Sequence, residues 1–86
     1  MSDRFLNIAV FGSGRGSNFQ AILEAIRSGR IPNAAIRVVI SNNSNAGILA
    51  HARAAGIAAE HISEKKFSGE AEFVRHLLAT LRSYDV

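Results

Sequence analysis

Gly12, Gly14 and Gly16 alternate with Ser13, Arg15 and Ser17, and Asn18 follows at once. Glycines at alternate positions let a backbone turn sharply and approach a bound group closely. A helix that starts here presents unpaired N–H groups and the positive end of its macrodipole. That combination suits an anion, and a phosphate in particular. The competing reading is a tight turn between a strand and a helix, in which glycine serves geometry alone.

The spacing narrows the choice of phosphate loop. The dinucleotide pattern G-x-G-x-x-G would need glycine at Ser17 or at Phe19. The acidic residue that binds a ribose hydroxyl about 20 residues on is also missing; Ser41, Asn42 and Asn43 stand at the end of the next apolar run. The pattern G-x-x-x-x-G-K-[ST] fails because no lysine follows these glycines. What remains is a loop for one phosphate, such as that of a sugar-phosphate or a mononucleotide.

The flanking residues say how the loop is held. Phe5 to Phe11 is almost continuously apolar, as expected of a buried parallel strand. Phe19, Ile22, Leu23 and Ile26 recur at helical spacing, which predicts a helix from about Asn18 to Ser28 with Gly29 just past its end. Ser17 and Gln20 fit a Ser-x-x-Gln capping box at its start. Arg27 and Arg30 fall near its negative end, where they offset the dipole.

Ile36 to Ile40 reads as a second strand, rich in β-branched residues. Ser44 or Asn45 can cap a second helix from about Ala46 to Ala55, ending at Gly56. Ile48, Leu49, Ala52 and Ala55 form its inner face. Ile57 to Ile62 is a short third strand. Ser68 can cap a third helix through about Ser83, with Glu70 and Glu72 in its first turn. Its apolar face is Phe73, Leu77 and Leu81 with Val74 and Leu78. Alternating strands and helices predict a right-handed βαβαβα unit of a doubly wound, Rossmann-like α/β sheet with three layers. Ligands of such sheets bind beyond the C-terminal strand ends. The glycine loop and the Ser41-Asn42 loop both lie there.

Composition removes several other functions. The chain has 86 residues, 48% of them hydrophobic, one proline and no cysteine. It is a globular chain of about one small domain, without disulfide, thiolate chemistry or cysteine-ligated zinc. No apolar run approaches the ~20 residues of a membrane span, and no signal peptide opens the chain, so the expected location is the cytoplasm. The formal charge is +3, with ten Lys and Arg residues scattered along the chain. A nucleic-acid-binding face needs clustered charge, which is missing. No pair of histidines shares a helix face with a carboxylate at ligand spacing, so no metal site is predicted. His51 reads as a solvated helix residue, His61 as a partly exposed strand-end residue and His76 as structural.

Two blocks carry a resemblance. Ser13-Gly14-Arg15-Gly16-Ser17-Asn18-Phe19-Gln20-Ala21-Ile22 resembles the N-terminal signature of the phosphoribosylglycinamide formyltransferases. Ser41-Asn42, then Ala46, Leu49, Ala52, Arg53 and Ala55-Gly56-Ile57, is similar to that family's second block in order and spacing. The resemblance runs along the whole chain. It implies transfer of a formyl group from 10-formyltetrahydrofolate, as cosubstrate, to the amino group of glycinamide ribonucleotide in purine biosynthesis. It also implies that backbone N–H groups of Gly16, Ser17 and Asn18 hold the nucleotide's phosphate, with Ser13, Gly14 and Arg15 as further candidates. Arg15 itself reads as a surface side chain.

The departures bear on activity. The arginine that the family often carries at the start of the third helix falls here on Gly69 or Glu70, so no folate contact is transferred. The family's catalytic asparagine, histidine and aspartate lie on later strands and loops, so the resemblance implies that they fall beyond Val86. His51, His61 and His76 match none of them. Residues 1–86 therefore read as the N-terminal, phosphate-binding part of a formyltransferase, inactive alone, with the folate-binding and catalytic half absent. A fourth strand would normally lie beside the first. Without it the edge Phe5 to Phe11 invites self-association. The alternatives are a small sugar-phosphate-binding module without catalysis, and the start of a nucleotide-dependent reductase, which the missing acidic residue disfavours.

Overall fold

The computed structural model describes residues 5–86. Strand β1 (Leu6–Phe11) leads through the glycine loop into helix α1 (Ser17–Arg27), and β2 (Ala34–Ser41) into α2 (Gly47–Ala54). Strand β3 (Ala58–His61) is followed by a 3-10 turn at Glu64–Lys66 and by α3 (Glu70–Ser83). The three strands are parallel in the order β1-β2-β3, as the alternation of elements predicted. Strand β2 is longer than the β-branched run alone indicated.

Two apolar layers sandwich the sheet. On one face Val10, Ile36 and Val39 meet Phe19 of α1 and Ile48, Leu49 and Ala52 of α2. On the other, Val38, Ile40 and Ile62 meet Phe73, Leu77 and Leu81 of α3. Phe19, 1% exposed, anchors the start of α1; truncating such a ring costs about 3–5 kcal/mol. Ala55 is half-buried rather than part of the tight inner face of α2.

A bulge in β2 decides which layer each residue joins. Ile8 pairs with Ile36 and Ala9 with Val38, so Arg37 is the extra residue. Ile36 and Val38 would face the same way in a regular strand; here they enter opposite layers. Arg37 is extruded. Its Nε donates to Asn7 Oδ1 at 2.9 Å and its guanidinium lies 5.8 Å from the Phe5 ring centroid.

Helix starts depart from the sequence reading. Neither Ser44 nor Asn45 caps α2. Ala46 precedes that helix in an extended conformation without a side-chain cap. Asn43 turns the chain instead, its Oδ1 taking the Asn45 N–H and its carbonyl the Ala46 N–H, both at 3.1 Å. Ser68 lies one residue before the cap position of α3, which is extended Gly69. Val74 and Leu78 are not on the inner face of α3; they are 41% and 45% exposed, because the sheet covers only the line Phe73, Leu77 and Leu81.

Past α3 the chain folds back on the helix end. The Val86 N–H donates to the Leu81 carbonyl at 3.0 Å and the Asp85 N–H to the Arg82 carbonyl at the same distance. Asp85 takes a positive φ of 61° there. Tyr84 to Val86 thus closes the third helix and pairs with no strand among the described residues.

Candidate functional site: an open helix start beside the glycine loop

The ladder of β1 runs one residue past the strand, where the Gly12 N–H donates to the Ile40 carbonyl at 3.1 Å. The chain then leaves the sheet and re-enters as α1. Gly16 is the residue at the turn, with φ 87°, in the left-handed region that costs an L side chain about 1–2 kcal/mol. A Cβ there would also stand 3.0 Å from the Ile48 Cα. Glycine at 16 is thus demanded twice by the protein's own chain. Gly14 is not: a Cβ there meets nothing within 4 Å.

The first bond inside α1 runs from the Gln20 N–H to the Gly16 carbonyl at 2.9 Å. The amides of Ser17, Asn18 and Phe19 precede it. No side chain among the described residues caps this helix start, and no acidic residue stands in its first turn. The predicted capping box is therefore overturned. Gly16 occupies the cap position, which places Ser17 inside the helix. Gln20 turns outward instead, its Nε2 3.1 Å from His51 Nδ1 on α2.

These elements enclose a cleft of about 200 Å³, lined by Ser13, Gly14, Arg15, Gly16, Ser17 and Asn18 with Ile48 at its side. All six residues singled out from the sequence thus border one space. A second cleft, of about 300 Å³, shares Phe11, Gly12 and Ser13 with the first and adds residues that include Asn42, Ile62 and Phe73. The pair lies at the C-terminal end of the sheet, where doubly wound folds take their ligands. Free amides at a helix start, beside backbone without side chains, can accept an oxyanion in hydrogen bonds that its charge strengthens. They supply no acid, base or nucleophile. Val86, beyond which the catalytic trio is expected, borders neither cleft and is 45% exposed.

Two polar links went unnoticed in the sequence. The Ile48 N–H donates to the Gly14 carbonyl at 3.0 Å, tying the start of α2 to the loop. His61 Nε2 lies 3.3 Å from the Asn42 carbonyl, and Lys66 Nζ 3.3 Å from His61 Nδ1. The carbonyl accepts, so Nε2 carries the hydrogen and Nδ1 takes one from Lys66. His61 is half-buried and braces the loop after β2. No local pattern signals the Ile48–Gly14 or the His61–Asn42 contact, since each joins residues far apart in the chain. His51 is exposed, as expected, and His76 lies tilted at 40° against Phe67 with ring centroids 5.1 Å apart. No group of three or more His, Cys, Asp or Glu side chains among the described residues could hold a metal ion.

Comparison with known proteins bears on the family. A family model described as formyl transferase matches residues 6–86. Phosphoribosylglycinamide formyltransferase of Escherichia coli is 37% identical over 79 residues, covering 92% of this chain and 37% of that protein. The protein of the same name from Haemophilus influenzae is 45% identical over 65 residues, 76% of this chain and 30% of its own. The solved structure of glycinamide ribonucleotide transformylase 1 from Symbiobacterium toebii superposes with a TM-score of 0.87 at 38% identity, over 95% of this chain and 38% of that one. The chain spans well under half the length of these relatives. With the strand order, the glycine loop and a match along nearly its whole length in agreement, the chain belongs to the formyl transferase family.

Proposed function

We propose that residues 1–86 are the N-terminal, phosphate-binding part of a phosphoribosylglycinamide formyltransferase of purine biosynthesis, acting in the cytoplasm. The reaction moves a formyl group from 10-formyltetrahydrofolate to the amine of glycinamide ribonucleotide. The amine nitrogen bonds to the formyl carbon, the carbon's bond to the folate nitrogen breaks, and the proton the amine loses is matched by the one the departing folate nitrogen gains. In this reading the present chain does none of those steps. It binds and orients. The Gly16, Ser17 and Asn18 amides hold the phosphate, and Ser13, Gly14 and Arg15 border it. Fixing that end of the substrate aligns its amine for attack, a contribution that positioning alone can make large.

The observation that carries the reading is the uncapped start of α1: its three leading amides have no acceptor among the described residues, and Ser17, Asn18 and Phe19 border a cleft. Names of relatives support the substrate. The catalytic asparagine, histidine and aspartate are assigned to the part of the parent protein beyond Val86, so the 86 residues alone transfer no formyl group.

Calorimetric titration with glycinamide ribonucleotide, and with the same compound lacking its phosphate, tests the assignment. Binding should depend on the phosphate. Asn18→Ala should weaken it only about two- to fivefold, because the main-chain donors remain. Asn18→Asp should weaken it by more than about tenfold, since a carboxylate then faces the phosphate. Equal affinity for the two compounds, or indifference to Asn18→Asp, would overturn the proposal.

A further inference from the structure

We infer that Ile48 is a positioning residue that moulds the glycine loop into its anion-binding shape; the inference rests on the phosphate-binding role proposed above. Ile48 touches the loop at three points. Its N–H holds the Gly14 carbonyl at 3.0 Å. Its Cδ1 lies 2.8 Å from where a Gly12 Cβ would be, and its Cγ1 and Cα lie 2.9 and 3.0 Å from a Cβ at Gly16. It is 2% exposed and borders the smaller cleft.

Each contact has a consequence for an anion. A carbonyl free to turn into the cleft would present negative charge density to a phosphate and repel it. The bond from Ile48 engages the Gly14 carbonyl on the α2 side instead. The side chain fills the space beneath both shoulders of the loop, where a Cβ at Gly12 or at Gly16 would meet it. Gly14 alone is left open. The width of the cradle is therefore set by a residue of α2, some thirty positions along the chain. A close-packed side chain of this kind transmits a change of one methyl group to its neighbours.

Gly12 gives a clean test, because its φ is outside the left-handed region and alanine there is opposed by Ile48 alone. Three variants of the full-length parent enzyme are needed: Gly12→Ala, Ile48→Val, which removes Cδ1, and the pair. Steady-state kinetics with glycinamide ribonucleotide and thermal melting are read on each. Gly12→Ala should raise KM for the nucleotide about tenfold while changing kcat less than about threefold, and the pair should return KM to within about threefold of the parent. Ile48→Val alone should fold but raise KM about threefold, because the loop loses the methyl group that supports Gly12. Gly16→Ala should not be rescued, since its obstacles are its φ and the Ile48 backbone.

Additive losses in the pair, or a Gly12→Ala variant with lowered melting temperature and unchanged KM, would overturn the moulding role. A parent enzyme that binds the nucleotide regardless of its phosphate would overturn the proposed function instead. In that case rescue of the Gly12→Ala melting temperature by Ile48→Val would still show that the two residues meet.

Discussion

Three glycines in one loop have three different causes. Gly16 is required by its backbone conformation and by the α2 backbone, Gly12 by one methyl group, and Gly14 by nothing in the described chain. The alternate spacing announced the loop in the sequence, but it could not divide these roles, which depend on a helix that arrives later. Stability should separate them. Gly16→Ala is expected to lose about 1–3 kcal/mol in denaturant unfolding. Gly14→Ala should be neutral or gain up to about 1 kcal/mol, because alanine restricts the unfolded chain. A large loss at Gly14 would mean that the loop is closed, and the cleft filled, by its own chain. Ser17 and Gln20 teach the opposite lesson. They satisfied a local capping pattern, yet the helix starts on Gly16, and Gln20 finds its partner on another element.

Elements were legible where a single period ruled them. The stripe of α1, the β-branched run of β2 and the glycines after α1 and α2 all fall where the pattern placed them. The capping residues of α2 and α3 were not, because Asn43 and the 3-10 turn redirect the chain before each helix. The end of α3 is tied to the sheet by Tyr84, whose hydroxyl donates to Glu60 Oε2 at 2.7 Å. That hydrogen bond raises the phenol above its ordinary value of 10.0, with burial and the carboxylate's charge adding to it. A raised folded value means that the contribution to stability is complete below the unfolded pKa and disappears as pH rises through the folded one. Tyr84 is the chain's single tyrosine and there is no tryptophan, so tyrosinate absorbance follows it directly. Glu60→Gln should move that titration down toward the free value. An unchanged midpoint would remove Glu60 as the cause.

For the molecule as a whole, the sheet order leaves β1 with one side unpaired among the described residues. Leu6 and Phe11 on it are 58% and 55% exposed. An apolar parallel strand in that state is a template for another chain. The 86-residue chain is expected to associate with itself in sedimentation velocity as its concentration rises, and Leu6→Lys should shift it toward monomer. A monomer at all concentrations before the substitution would refute this. The general fold could be foreseen because every strand but one alternates simply between its two layers. The exception is β2, whose bulge at Arg37 no propensity reveals. That supernumerary residue works as a phase shifter. Val38 to Ile40 take the orientations they would have if position 37 did not exist, so both hydrophobic layers keep their sides across the bulge.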